Sequence, residues 1–550
     1  MTIFEKILAS RGIGIESSES FLNPDYSKLH DPFLLPDMKI AVDRLIKARK
    51  IDEKITIYGD YDIDGLTATT LLYESLKKFG FKNVYFFMPS RFIEGYGLND
   101  DAIKKIALDG TKLIITVDCG SRSHAEIKKA NELGLEVIVT DHHEISDDLP
   151  PAVALVNPHR SDSKYPFKEL AGVGVVFKLV QAIQVKLSTS HSKGLVLPFG
   201  QEKWLLDLVA LGTVCDIVPL IDENRIFVYW GLRVLSKKRR PGLRALLSIN
   251  RIENESINSH SLGFVLGPRM NAAGRLETAQ YALDMLMTQD LTDAFEKAQI
   301  LEEMNRLRRD EQLRILKEAI IQAEKYSKDD VLVLSDSNWS HGIIGIVASK
   351  ILERYKKPVY IFQEMGVESK GSARSFGDFS AVEAIEYSGD LIIAGGGHKL
   401  AAGVTLPTDK ISEFRKRVNY FYKNLGLIEQ VSLLLPIEDV TVNLHEIDEK
   451  LFEMIKLLEP FGHGNPCPLL KSKDLLVINR RKMGSESQHI KLDLQDYDGK
   501  KMSFLAFSAP EHFFVEIGQR VTICYSLSIN EWQGNKTIEG YIEYLEVEND

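Results

Sequence analysis

Residues 55–65 read ITIYGDYDIDG. Ile55, Ile57 and Tyr58 form the end of a buried strand, and Gly59 stops it. Asp60, Asp62 and Asp64 follow at every second position, Gly65 closes the run, and the LTATTLL that follows starts a helix. The three acids therefore share one tight strand-to-helix turn at the carboxyl end of a strand, where open α/β sheets place their sites. Like charges packed this closely are unfavourable unless a cation neutralises them. Hard divalent ions take such oxygen ligands. A solvated acidic turn is the plain alternative, and the flanking glycines, apolar strand and helix weigh against it. An EF-hand also alternates Asp, but it needs a downstream Gly and a Glu at position twelve between two helices. Here Thr67, Thr69 and Thr70 lead straight into a helix.

Outward from this turn, strand patterns at 55–58, 84–88, 113–117 and 137–140 alternate with helical ones. That alternation predicts an α/β fold with a doubly wound parallel sheet. The run at 113–117 ends in Asp118-Cys119-Gly120, and that at 137–140 in Asp141-His142-His143. A later apolar run, 205–214, ends in Cys215-Asp216. One acid after one strand is an ordinary helix cap. Four such ends, one with three acids and one with two histidines, exceed what caps explain. Parallel strands bring these ends to one edge. Oxygen donors with an imidazole suit two divalent ions, Mn²⁺ ahead of Mg²⁺ because of the nitrogen. Paired ions clamp the attacking and leaving oxygens of a phosphoryl transfer. Asp141 is either a ligand or the group that orients its neighbour's ring.

The chain has 550 residues, 44% of them hydrophobic. That predicts roughly three or four domains with ordinary cores. No apolar run reaches the ~20 residues of a membrane span. The N-terminal MTIFEKILASRG lacks a signal-peptide core, so a cytoplasmic protein is expected. Cys119, Cys215, Cys467 and Cys524 are widely spaced, which excludes a disulfide framework or zinc ribbon. The net charge of −10 excludes a globally basic nucleic-acid binder but leaves room for a local basic channel.

Residues 1–50 are a lead-in carrying Pro24, Pro32, Pro36 and an amphipathic helix from Met38. The doubly wound domain covers 51–288. Within it, Lys237-Lys238-Arg239-Arg240 is as readily a solvated helix end as a phosphate contact. Residues 267–275 read as a Gly-rich loop whose Arg269, Asn271 and Arg275 suit phosphates. Residues 289–326, free of Gly and Pro from Leu291 onward, form a connector helix roughly 50 Å long. A second α/β domain spans 327–428. Its Gly371-Ser372-Ala373-Arg374-Ser375 loop and Gly395-Gly396-Gly397-His398 run let backbone amides approach an anion, a Gly-rich turn being the plain alternative. Short alternating runs over 429–550 predict a small OB-like β-barrel. There Arg480, Arg481, Lys482, Phe504, Phe507 and Trp532 suit single strands, with core packing an equal reading for Phe504 and Phe507. On this reading the barrel supplies strand affinity rather than chemistry.

The ordered motifs Asp60-Tyr61-Asp62-Ile63-Asp64-Gly65, Asp118-Cys119-Gly120, Asp141-His142-His143 and Asp216 resemble those of the DHH phosphoesterases. Gly395-Gly396-Gly397-His398 matches that family's associated second (DHHA1) domain. Arg11-Gly12-Ile13, the 267–275 segment, Leu458-Glu459-Pro460-Phe461-Gly462 and Gly464-Asn465-Pro466 resemble its bacterial single-strand-specific exonucleases. The resemblance covers nearly the whole chain. It implies 5′→3′ degradation of single-stranded DNA to mononucleotides, with two Mn²⁺ (or Mg²⁺) ions, in recombination and repair. It makes Asp60, Asp62, Asp64, Asp118, His142 and Asp216 metal ligands, Asp118 bridging, with His143 beside the scissile phosphate. A second domain would narrow the cleft so that single strands enter and duplexes do not. The catalytic group would be His143, Asp118 and Asp141. Arg91, Ser372 and Arg374 would hold the 5′ end, with Arg269, Asn271, Arg275, Gly396, His398 and Trp532 as further substrate contacts. Single-strand-binding protein and a RecQ-type helicase are implied partners of a monomer. One departure is Trp339-Ser340-His341-Gly342, where the family carries His at the Ser340 position. The rival readings are a phosphodiesterase of short oligonucleotides or cyclic dinucleotides, and an inactive single-strand-binding scaffold.

Overall fold

The computed structural model describes the chain except residues 91–94, 96, 190–195, 199, 254–255, 428–434, 485–486, 533–534 and 549–550, and the side chains of 15, 189, 532 and 535. The expected contacts of Arg91 and of the Trp532 side chain lie outside the described residues. The chain forms two compact units. One comprises Met1–Gly267, Leu286–Leu291 and Pro436–Asp550, and the other Pro268–Met285 and Thr292–Leu435.

In the first unit, β1 (Ile55–Gly59), β2 (Val84–Phe87), β3 (Leu113–Val117), β4 (Glu136–Thr140) and β5 (Ala154–Val156) form one sheet in the order β2-β1-β3-β4-β5. Every pairing is parallel. β1, β3 and most of β4 are buried, as near-continuous apolar runs in a covered parallel sheet should be. The register sets Gly59 beside Val117 and Val117 beside Thr140. The next residues, Asp60, Asp118 and Asp141, therefore leave the sheet side by side. β5 escapes periodicity because it is only three residues long. The 205–214 run, expected to end like a strand, is instead the helix Leu206–Cys215. It is buried on nearly all sides, and an apolar run of this kind has no period to separate helix from strand. Asp216 thus comes from a helix C-terminus.

In the second unit the helix Leu291–Lys325 runs for 35 residues. It packs Ile315, Ala319 and Ala323 on a sheet of β6 (Leu332–Asp336), β7 (Val359–Met365), β8 (Glu368–Arg374), β9 (Ala394–Gly397) and β10 (Ala401–Pro407). The order is β6-β7-β8-β10-β9, parallel only between β6 and β7. Two sequence expectations change here. Residues 371–374 are strand β8, not a loop, because Gly371 lies against the Phe362 ring on the neighbouring strand. The expected Gly-rich loop at 267–275 is the helix Gly267–Leu276, continuing a π-helical turn at Ser261–Leu266. Pro268 fits a first helical turn, and Ala272-Ala273 favours helix enough to override the glycines.

The barrel completes the first unit. It comprises β11 (Val440–Thr441), β12 (Leu470–Met483), β13 (His489–Gln495), β14 (Lys501–Ala506), β15 (Arg520–Trp532) and β16 (Asn535–Val547). The order is β11-β12-β13-β14-β16-β15, and a β12–β15 pairing closes five strands on themselves. Phe504 lies in its core, whereas Phe507 is 60% exposed. The helix Ile3–Ser10 inserts Phe4 and Ile7 into the same core.

Lys178 and Glu223 form a fully buried ion pair in the first unit. Glu223 also accepts from the Tyr165 hydroxyl and from His30 N at 2.8 Å, and Lys178 Nζ donates to His30 O at 2.9 Å. Burial pushes the Lys178 ammonium below its usual range despite Glu223. Glu223→Ala leaves that ammonium unpaired. It is expected to cost about 3–5 kcal/mol in a urea melt, and a loss under about 1 kcal/mol would show a hydrated, surface-like pair.

Candidate metal centre

The acidic turn is built by helix ends. Asp62 caps the helix Ile63–Lys78 and accepts from Gly65 N at 3.0 Å. Gly65 is required there, since a Cβ would lie 2.4 Å from Asp60 O. Asp64 is fully buried and accepts from Gly172 N at 2.6 Å and Val173 N at 2.9 Å, at the start of the helix Gly172–Thr189. The helix dipole and free amides there favour an anion. Asp118 takes a left-handed backbone, φ 62°. Thr116 Oγ1, donating to Cys119 O at 2.7 Å, fixes its turn.

His142 brings the groups together. Its Nε2 lies 3.1 Å from Asp118 Oδ1, 3.5 Å from Asp216 Oδ2 and 3.9 Å from Asp64 Oδ2. None of these is a hydrogen bond: His142 Nε2, Asp118 Oδ1 and Asp216 Oδ2 are all buried without a partner among the described residues. Buried polar atoms are otherwise nearly always satisfied. Burial, then the charge of His143, lowers His142 to about 4, which leaves a neutral imidazole able to ligate. Burial, then Asp62, pushes Asp64 up to about 7. Burial, then Asp64, raises Asp118 and Asp216 well above the carboxylate range.

Ligand atoms of Asp60, Asp62 and Asp118 lie within 4.8 Å of one another, as do those of Asp118, His142 and His143 and those of Asp64, His142 and Asp216. Asp118 and His142 each belong to two groups. A Cβ on Gly172 would lie 2.6 Å from Asp118 Oδ1, and one on Gly212 2.8 Å from Asp64 Oδ1, so two glycines cradle the carboxylates. The unsatisfied donor set, its hard oxygens and its one neutral imidazole fit divalent cations.

Asp141 differs. Its Oδ1 accepts from His142 N and from His143 Nδ1, both at 2.8 Å, and its Oδ2 from Ser121 N at 2.8 Å. Burial alone would raise this carboxyl, but the His143 hydrogen bond and charge hold it below the usual range. His143 is raised in turn: Asp141 outweighs the burial that would lower it. Asp141 is therefore satisfied by its donors and fixes the position of the His143 ring. Asn157 was not anticipated; its Nδ2 donates to Ser121 Oγ at 2.8 Å and His143 O at 2.9 Å, bracing the same turn. Gly172 and Gly212 were also missed. Only the Gly172-Val173-Gly174 spacing at a helix start hints at close approach.

The second unit carries the other expected contacts. Arg269 is ion-paired with Glu302, and Arg275 Nη1 donates to Gly342 O at 3.2 Å. Asn271 is half-buried on the helix that holds them both. Arg374 Nη1 donates to Ser372 Oγ at 3.2 Å and Ala373 O at 2.7 Å, and meets no carboxylate among the described residues. Burial lowers its pKa. A Cβ on Gly345 would lie 3.3 Å from Arg374 Nη2, so that helix leaves the guanidinium room. Gly396 is on the exposed edge strand β9, and His398 in the exposed turn after it. At the departure from the family pattern, Ser340 precedes the helix His341–Tyr355 without a side-chain cap, and buried Trp339 donates to Glu318 at 2.8 Å.

Family models match three regions: the DHH family N-terminal domain at residues 54–213, the DHHA1 domain at 328–424 and the RecJ OB domain at 438–544. The chain is 37% identical to the single-stranded-DNA-specific exonuclease RecJ of Bacillus subtilis over 96% of its own length and 66% of that protein, so it spans about two thirds of that relative. It is 34% identical to the RecJ of Dickeya dadantii over 99% of this chain and 96% of that one. RecJ from Thermus thermophilus, solved in complex with Mn²⁺, superposes with a TM-score of 0.82 at 29% identity, covering 100% of this chain and 76% of that one.

The buried acids predict how the fold responds to metal. Mn²⁺ at a hundredfold excess over its Kd is expected to stabilise the protein by about 2.7 kcal/mol, and EDTA to reverse it. Asp118→Asn removes one buried like charge, so its melting temperature in EDTA should exceed that of the parent while its response to Mn²⁺ shrinks. Equal melts with Mn²⁺ and with EDTA in the parent protein would contradict the cation reading.

Proposed function

The chain belongs to the RecJ family of DHH phosphoesterases, and we propose that it is a metal-dependent exonuclease that degrades single-stranded DNA 5′→3′ to mononucleotides. One observation carries this reading: buried carboxylates and a neutral imidazole turn unsatisfied lone pairs toward one another at a parallel-sheet edge. Asp60, Asp62, Asp64, Asp118, His142 and Asp216 would hold two cations, Mn²⁺ or Mg²⁺. When bound, such ions activate water and neutralise charge on the phosphate in transfer.

The chain's own residues do the rest. Asp141 fixes the His143 ring through Nδ1, and His143 lies beside the scissile phosphate. Arg374 and Ser372 receive the 5′-terminal phosphate, since a guanidinium fork suits two phosphate oxygens and this one meets no competing acid among the described residues. Arg269 and Arg275, engaged with Glu302 and Gly342, must exchange those partners to track further phosphates. On the barrel, exposed Phe507 lies 5.3 Å from the His489 ring and 5.7 Å from Tyr541, a surface on which bases stack. The match to a RecJ-type OB domain argues against a phosphodiesterase of very short substrates, and the complete set of acids argues against an inactive scaffold. No helix among the described residues is long and apolar enough to cross a membrane. Work in the cytoplasm as a monomer, beside a single-strand-binding protein and a RecQ-type helicase, belongs to this reading.

Initial rates on long single strands carrying 5′-phosphate or 5′-hydroxyl, at one salt concentration in Mn²⁺, test it. Mononucleotides should be released from the 5′ end of single strands and not of duplexes. Arg374→Ala should slow the phosphorylated strand roughly ten- to a hundredfold, for a charged hydrogen bond worth about 1.5–3 kcal/mol, and the hydroxyl strand much less. Equal losses on both would assign Arg374 to an internal phosphate. Release from the 3′ end, or none in Mn²⁺, would overturn the reading.

A further inference from the structure

Asp216 is the one member of the cluster carried by neither the sheet nor the acidic turn. It caps the helix Leu206–Cys215, and the chain after it is awkward. Ile217 has a left-handed backbone, φ 62°, and a side chain 68% exposed. A β-branched residue adopts that conformation only when its surroundings impose it. Nothing in residues 217–220 supplies a regular element to do so.

The constraint comes from residues 458–466, before the barrel strand β12. Leu220 N donates to His463 O at 2.7 Å. Gly462 and Gly464 lie flat against residues 219–220: a Cβ on Gly462 would sit 2.7 Å from Leu220 Cδ1, and one on Gly464 2.9 Å from Pro219 Cβ. On the other side, Ser259 donates to Phe461 O, and the π-helical turn that follows brings Leu262 O within 3.7 Å of Cys215 Sγ. The loop therefore holds the chain ahead of Asp216 directly, and the chain behind it through Ser259 and the π-helical turn that reaches Cys215.

The loop is itself locked to the catalytic domain. Arg225 is 2% exposed and meets no carboxylate among the described residues; it donates to Phe21 O at 2.8 Å, Leu458 O at 3.0 Å and Glu459 O at 2.9 Å. Asn465 Nδ2 donates to Leu458 O and Pro460 O. Arg11 donates to Asn465 Oδ1 at 2.8 Å while paired with Asp439 at 2.8 Å. A buried cation that meets three carbonyls and the Phe21 ring holds backbone rather than balancing charge.

We propose that residues 458–466, with Arg225 and Ser259, are a positioning element of the metal centre: the loop sets the backbone that aims Asp216. The inference rests on the ligand role of Asp216 given above. It makes the barrel's connecting loop a part of the chemistry, where the sequence reading gave the barrel strand affinity alone.

Titrating Mn²⁺ into the full-length protein by calorimetry tests this, with melts in EDTA to monitor folding. Asp216→Ala serves as the reference. Gly462→Ala pushes on Leu220 and is expected to weaken Mn²⁺ binding about tenfold or more, as loss of a group that orients a ligand does. Adding Leu220→Val, which removes the obstructing methyl, should restore it. Ser259→Ala, which removes only the bond to Phe461, should shift affinity in the same direction and gives a second reading if Gly462→Ala folds poorly. Parental Mn²⁺ affinity in Gly462→Ala or Ser259→Ala, with Asp216→Ala weakened, would overturn the inference alone. Parental affinity in Asp216→Ala would overturn it together with the ligand assignment.

Discussion

Asp64, Asp118 and Asp216 are buried within reach of one imidazole, and burial with mutual repulsion drives each carboxyl well above its ordinary range. Much of the first unit is explicable as the means of holding them there. The register of β1, β3 and β4 delivers Asp60, Asp118 and Asp141 in a row. The amides of Gly172 and Val173 hold Asp64, and the missing side chains of Gly172 and Gly212 make room for the carboxylates. Apolar packing of the strands carries the fold, so the acids need not be at ease in it.

Asp141 shows how one carboxylate escapes this frustration. It spends its oxygens on Ser121 N, His142 N and the His143 ring, and so stays ionised. Two acids at the ends of adjacent strands are thus shifted in opposite directions, because both are buried but one is satisfied by donors and the other faces acids. The division between satisfied and unsatisfied acids follows from hydrogen bonding, not from position in the motif.

The sheet was legible because β1, β3 and β4 are long apolar runs that stop at an acid, and because parallel order forces those stops to one edge. The barrel was legible from alternation and turn residues. Period failed where it carries no information: Leu206–Cys215 is apolar all round, and β5 is too short. Glycine misled twice: Gly371 serves a strand beside Phe362, and Gly267 opens a helix. Contacts between distant segments, such as Asn157 with Ser121 or His463 with Leu220, leave no local trace. A glycine before a buried carboxylate and a glycine in a turn look alike until the fold brings the neighbour in.

If Asp60, Asp62, Asp64, Asp118, His142 and Asp216 hold two cations as proposed, anomalous diffraction at the manganese edge from crystals grown with Mn²⁺ should show two peaks within this cluster. A cluster without a peak, or manganese bound only elsewhere on the chain, would overturn that assignment.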